Sequence, residues 1–230
     1  MKRRVLLFAL AILPLAGIFL AARYAATRRP QTITKAEFEA RQAASAPLPT
    51  GEFTEQSGSV FTPRQQQLQH RVRGRGWELR AVSPDGTRLL AQRKSSCQAA
   101  ILDAKQARIL LMLAALPRAA CERWTVPDWS GDGKLVWFQA DTSPIQIFDA
   151  QTGQALWSLD SQSTYLVSSP DGRLLLAFDT LGRDSKVLEA RTGHEVERLS
   201  FPFQQAIFSR DSRWLLLEIQ PGQYKQWRLR

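Results

Sequence analysis

The 230 residues include 31 Lys or Arg against 21 Asp or Glu, a formal charge of +10, but six of the basic residues fall in positions 1–29, where no acid occurs. The remaining 25 basic and 21 acidic residues leave the rest of the chain only mildly basic. That argues against a nucleic-acid surface, which needs concentrated Lys and Arg with aromatics for stacking. With two histidines and two cysteines, the chain also has no metal-ligand spacing.

Met1-Lys2-Arg3-Arg4 precedes an uncharged run from Val5 to Ala22, followed by Arg23, Arg28 and Arg29. Eighteen apolar residues cross a bilayer with slight thinning. No Ala-x-Ala triplet lies between Leu20 and Arg29, so residues 1–29 read as an uncleaved signal anchor, with a cleaved leader as the alternative. Positive charge is balanced on the two sides of the run. The short tail then stays in the cytoplasm, and the expectation is a single-pass inner (plasma) membrane protein whose main domain is periplasmic.

Residues 30–76 read as a stalk rich in Gln, Ser, Thr and Pro. Thr34 followed by Glu37 has capping-box spacing and predicts a short helix from Lys35 to about Ala44. Arg71-Val72-Arg73-Gly74-Arg75 is the one local basic cluster and reads as a solvated segment or an anionic-lipid contact.

From residue 77 to 230 one pattern recurs four times: Val82-Ser83-Pro84-Asp85-Gly86, Trp129-Ser130-Gly131-Asp132-Gly133, Ser168-Ser169-Pro170-Asp171-Gly172 and Phe208-Ser209-Arg210-Asp211-Ser212. The aspartates are 47, 39 and 40 residues apart, the period of a four-stranded propeller blade. Pro84 and Pro170 preset φ, Asp85, Asp132, Asp171 and Asp211 cap the turn, and Gly86, Gly133 and Gly172 take the positive φ that follows. An apolar run such as Arg173-Leu174-Leu175-Leu176-Ala177-Phe178 comes next, as expected of a strand covered on both faces. A second acidic residue stands 17 or 18 positions after each of the first three turn aspartates, at Asp103, Asp149 and Glu189. Thr152-Gly153 and Thr192-Gly193 then form further turns before outer strands, and Ile109 to Leu116 is read as the outer strand of the first blade.

The unit from Trp129 to Gly153 resembles the WD40-like propeller repeats of bacterial proteins, of TolB type and of the YVTN or quinoprotein-dehydrogenase-like group. The resemblance covers about residues 77–230 and implies an all-β propeller. The Trp-Asp and Gly-His pairs of eukaryotic WD40 blades are absent, so their peptide-docking residues do not transfer.

Four blades is a low number, and the last repeat lacks a fourth strand after Tyr224–Leu229. Gly58–Thr62 or Leu68–Val72 are the candidates for supplying it. Either the ring closes alone, or it is an open half-ring whose apolar end faces are covered by a second copy or another protein. Cys97 and Cys121 form either a disulfide or two buried small hydrophobes. Of the seven tryptophans, Trp129, Trp137 and Trp214 fall at core positions, whereas Trp77, Trp124, Trp157 and Trp227 suit core or rim.

Catalysis finds no motif: turn chemistry accounts for the four aspartates, and His194 follows a hairpin turn. No catalytic, metal or cofactor residue is assigned and no small-molecule substrate is expected. The functional expectation is a non-catalytic, membrane-anchored scaffold for protein partners, and the alternative is a periplasmic ligand-binding or quinoprotein-like redox module.

Overall fold

The computed structural model describes residues 31–44, 63–93, 96–113, 125–140, 143–160, 164–179, 185–199 and 201–229. The chain begins there with strand β1 (Gln31–Ile33), helix α1 (Lys35–Ala44) and helix α2 (Pro63–Arg73). Fifteen further strands follow: β2 (Glu78–Val82), β3 (Arg88–Arg93), β4 (Gln98–Asp103), β5 (Ile109–Met112), β6 (Thr125–Trp129), β7 (Leu135–Ala140), β8 (Ser143–Asp149), β9 (Ala155–Leu159), β10 (Thr164–Ser168), β11 (Leu174–Asp179), β12 (Ser185–Glu189), β13 (Glu195–Leu199), β14 (Gln205–Phe208), β15 (Trp214–Gln220) and β16 (Gln223–Arg228).

They form four antiparallel four-stranded sheets. Three of these are plain meanders, β2 to β5, β6 to β9 and β10 to β13, and the fourth runs β14-β15-β16-β1. The last sheet therefore takes its outer strand from the start of the described chain, with Gln31 opposite Gln226, Thr32 opposite Lys225 and Ile33 opposite Tyr224. The expected segments do not supply it: Leu68–Val72 is helical, in α2, and Gly58–Thr62 lies outside the described residues. Three residues, of which only Ile33 is buried, suffice because they add to a sheet that already has three strands.

Second-strand residues alternate between two covered faces. Leu90 packs with Ala99 and Ile101 against Trp129, Val136, Phe138 and Phe148 of the second sheet. Trp137, Ile145 and Ile147 meet Leu166, Leu175 and Ala177 of the third. Leu176, Val187 and Leu199 meet Phe208, Leu215 and Leu217 of the fourth. Each fully buried side chain of this size contributes about 1.5–3 kcal/mol of transfer free energy.

The two end faces are buried by helices of the same chain. Val72 of α2, with Leu68 beside it, lies on Leu89, Ala91, Ala100 and Leu102 of the first sheet. Phe38 of α1 stacks on Tyr224 at 4.2 Å between ring centroids and closes a cluster with Ile33 and Leu216 of the fourth sheet. Among the described residues no buried cluster joins the first sheet to the fourth. The four blades thus form a series whose ends are capped within the chain, in place of both alternatives, a ring closed on itself and end faces covered by a second copy or another protein.

Helix α1 starts as its sequence predicts. The Glu37 amide donates to Thr34 Oγ1 at 3.2 Å while the Thr34 amide donates to Glu37 Oε2 at 2.8 Å, the reciprocal pattern of a capping box. In the basic cluster Arg71, Arg73, Gly74 and Arg75 are exposed, as a solvated segment requires, but the segment ends a packed helix rather than lying in a stalk. Val72 is fully buried, and the Arg71 guanidinium donates to the carbonyls of Ala104 and Lys105. The expected outer strand from Ile109 ends at Met112. The apolar run Val5–Ala22 lies outside the described residues, and among the described residues no helix is long and apolar enough to cross a membrane.

Candidate interaction surface on the turn face

The four repeated turns share one hydrogen-bond scheme. Ser83, Ser130, Ser169 and Ser209 donate Oγ–H to Asp85, Asp132, Asp171 and Asp211 at 2.5, 2.7, 2.7 and 2.6 Å. Each serine oxygen also accepts the amide five residues on, from Arg88, Leu135, Leu174 and Trp214, at 2.9 Å. Each carboxylate accepts the amide two residues on, from Thr87, Lys134, Arg173 and Arg213, at 3.0–3.1 Å. Positive φ occurs at Gly86 (69°), Gly133 (68°), Gly172 (69°) and Ser212 (58°). The roles expected of Asp and Gly hold; the serine was missed, although its presence in all four copies was visible.

These bonds set the electrostatics. The Ser83 and Ser209 hydroxyls hold Asp85 and Asp211 below the usual carboxylate range. At Asp132 desolvation pushes upward, but the Ser130 hydroxyl and the Lys134 amide and ammonium outweigh it and the carboxyl is lowered. Asp149, at the second turn, is likewise lowered against desolvation by the amides of Thr152 and Gln151 and by Arg191, whose guanidinium reaches it from the next sheet at 3.0 Å.

Adjacent blades meet turn to turn. Arg88 donates to the Gly133 carbonyl at 2.6 Å, the Gly131 amide donates to Ser168 Oγ at 3.0 Å, and the Asp171 amide donates to Ser212 Oγ at 3.2 Å. On the outside, Trp157 Nε1 donates to the Ala190 carbonyl at 3.0 Å. Arg71 makes the corresponding contact to Ala104, so α2 stands where a preceding blade would. Ala107 has the position that Gly153 and Gly193 hold in later repeats and adopts φ 50°. Glycine is needed at 153 and 193 for a second reason: a Cβ there would come within 2.5 Å of the Met112 carbonyl and 2.7 Å of the Trp157 ring.

The turns of the second, third and fourth blades border a cavity of about 960 Å³, lined by Asp132, Asp171, Asp211 and by Arg173, Arg191 and Arg213 among others. His194 is exposed on its wall. No group of three or more His, Cys, Asp or Glu stands close enough to hold a metal among the described residues. Asp128, on the inner strand β6, is a different case. Burial raises its carboxyl to about 7, with only its neighbour's amide, Trp129 N–H at 2.8 Å, pulling down. Nothing in the sequence pattern singled it out, since the repeats place Ala81, Val167 and Ile207 at that register.

Other expectations sort as follows. Trp129 and Trp137 are buried as expected, Trp77 is buried beneath α2, and Trp157, Trp214 and Trp227 are half-buried; Trp124 lies outside the described residues. Cys97 is half-buried just before β4 at φ 54°, and Cys121 lies outside the described residues.

No family model matches the chain, and no curated protein matches it. Among solved structures it is similar to the Kuenenia stuttgartiensis hydrazine synthase, with 16% identity over 59% of this chain and 40% of that one, at a TM-score of 0.44. It is also similar to the Cps50 (Swd1) β-propeller domain of Myceliophteria thermophila, with 12% identity over 69% of this chain and 57% of that one, at a TM-score of 0.50. The chain therefore spans well under two thirds of either structure, and the likeness to the second is one of fold. The sheets, the repeats and that likeness together make this a β-propeller-like repeat protein.

Proposed function

We propose that this propeller-like protein is a non-catalytic scaffold that binds protein partners, held at the inner membrane by residues 5–22 with its blades on the periplasmic side. The apolar run and its flanking arginines support the membrane part. The observation that carries the scaffold reading is the outer strand β5. Its residues Ile109, Leu110 and Met112 are 44, 46 and 41% exposed, and among the described residues the strand pairs only with β4.

Edge strands that face water are normally blunted by charge, as the Glu195–Leu199 strand β13 is with two glutamates and an arginine. An apolar edge that no other described strand pairs with suits addition of an extended strand from another protein. The turn carboxylates support a non-catalytic role, because each is already committed to its own turn. Both end faces are covered, so a partner completes no core; a second copy would join through the β5 edge.

A photo-crosslinking amino acid at position 110 of the full chain, activated in intact cells, tests this. A discrete protein adduct that Leu110→Lys at the same edge weakens is expected when the crosslinker is moved to position 112. Absence of any adduct from either position overturns the β5 edge as the docking surface.

A further inference from the structure

We propose that the turn-face cavity of the second to fourth blades binds an acidic segment of a protein partner, whose side-chain carboxylates pair with Arg173 and Arg213. This deepens the scaffold reading and rests on it, but on a surface separate from the β5 edge. The cavity holds about 960 Å³, room for several side chains of an extended peptide.

The groups facing it differ in how far they are committed. Asp132, Asp171 and Asp211 each accept a serine hydroxyl and a backbone amide of their own turn. Glu189 accepts the Thr192 hydroxyl at 2.6 Å. The cations Lys134 and Arg191 are paired with Asp132 and Asp149, and Arg228 lies over the Trp214 ring.

Arg173 and Arg213 are different. They hold the same position of neighbouring repeats, directly after the turn, and their backbone amides serve the turn while their guanidinium groups make no hydrogen bond or ion pair among the described residues. What the cavity offers to a ligand is thus two guanidinium forks on adjacent blades, with Leu174 and Val196 between the polar groups. A fork of this kind pairs best with carboxylate, in a bidentate bond stronger than a neutral one. The first repeat has Thr87 at this position, beside α2, so the cationic row exists only where the face is open.

Fluorescence anisotropy tests the proposal with the full chain in detergent and a labelled short peptide of alternating glutamate and alanine, its glutamine counterpart serving as control. The glutamate peptide is expected to bind and the glutamine peptide not. Arg173→Ala and Arg213→Ala should each weaken binding about tenfold, and raising salt from about 50 to 300 mM should weaken it further. Because neither guanidinium makes a hydrogen bond or ion pair among the described residues, and Arg213 adds only a through-space attraction to the exposed Asp211, the urea midpoint should stay close to the wild-type value. Arg173→Lys with Arg213→Lys, which keeps charge and removes the fork, should give an intermediate affinity.

Equal binding of the two peptides, or a double alanine variant that binds the glutamate peptide as the wild type does, overturns the cavity proposal. Crosslinking from position 110 separates the two readings. A partner captured there by a chain whose cavity ignores the peptide leaves the scaffold standing and removes the acidic site; peptide binding that depends on both arginines, with no partner at the edge, supports the cavity and removes the edge.

Discussion

Gly172 of the third blade faces Asp132 of the second so closely that a Cβ on it would lie 2.2 Å from the carboxylate carbon. Its φ of 69° already disfavours any side chain, so two penalties coincide at one atom. Gly172→Ala is expected to cost more than about 3 kcal/mol, against about 1 kcal/mol for Gly222→Ala, where φ is 80° and nothing lies within 4 Å. Urea midpoints of the two variants measure the difference, and equal losses would mean that the turn-to-turn approach is not tight.

The helical caps make a second prediction. Val72→Ala in α2 and Ile33→Ala in β1 each remove buried methyl groups from an end face, and each is expected to cost about 1–4 kcal/mol. Lys35→Ala, on the exposed side of α1, should change the midpoint by less than about 0.5 kcal/mol. If the cap variants were as stable as the wild type, the end faces would not need α1 and α2.

Asp128 predicts how stability changes with pH. Burial holds its folded carboxyl near 7, well above the 3.8 of an ordinary aspartate, so between those values the folded chain holds a proton that the unfolded chain has lost. Its favourable contribution is therefore complete below about pH 4 and is lost as pH rises through 7. Asp128→Asn should flatten that decline, leaving the midpoint near that of wild type at pH 4 and raising it at pH 8. Chemical unfolding at the two pH values checks this, and a variant that declines as steeply as the wild type would exclude Asp128 as the cause.

Ala107 sits at φ 50° with its methyl buried among Leu102, Ala104 and the α2 contacts. Ala107→Gly relieves about 1–2 kcal/mol of backbone strain but loses about 0.8 kcal/mol of methyl burial and gains unfolded-chain entropy of similar size. The expected net change is within about 0.5 kcal/mol, read from thermal or urea unfolding. A large loss would show that the methyl packing dominates.

The repeats were legible because each turn carries an aspartate and a residue able to take positive φ within a few positions, and the Lys35–Ala44 helix because Thr34 and Glu37 stand at capping-box spacing. The outer strand of the last blade was not legible, because Gln31–Ile33 is too short to show alternation and its partner lies about two hundred residues away in sequence. Helix α2 was hidden for another reason: Pro63–Arg73 is polar except for Leu68 and Val72, so its buried stripe is only two residues wide. The cationic row at Arg173 and Arg213 was written in the repeat register, yet only the structure shows which of the neighbouring charges are already satisfied.

Pairing of β1 with β16 joins almost the first described residue to almost the last. During synthesis the Gln31–Ile33 segment emerges early and has no strand to pair with until the Gln223–Arg228 strand has left the ribosome, so the fourth sheet is the last of the four to be finished. A chain that stopped before the Gln223–Arg228 strand would have three ordinary blades and a fourth with two open sides, a product that proteases could tell apart from one carrying that strand.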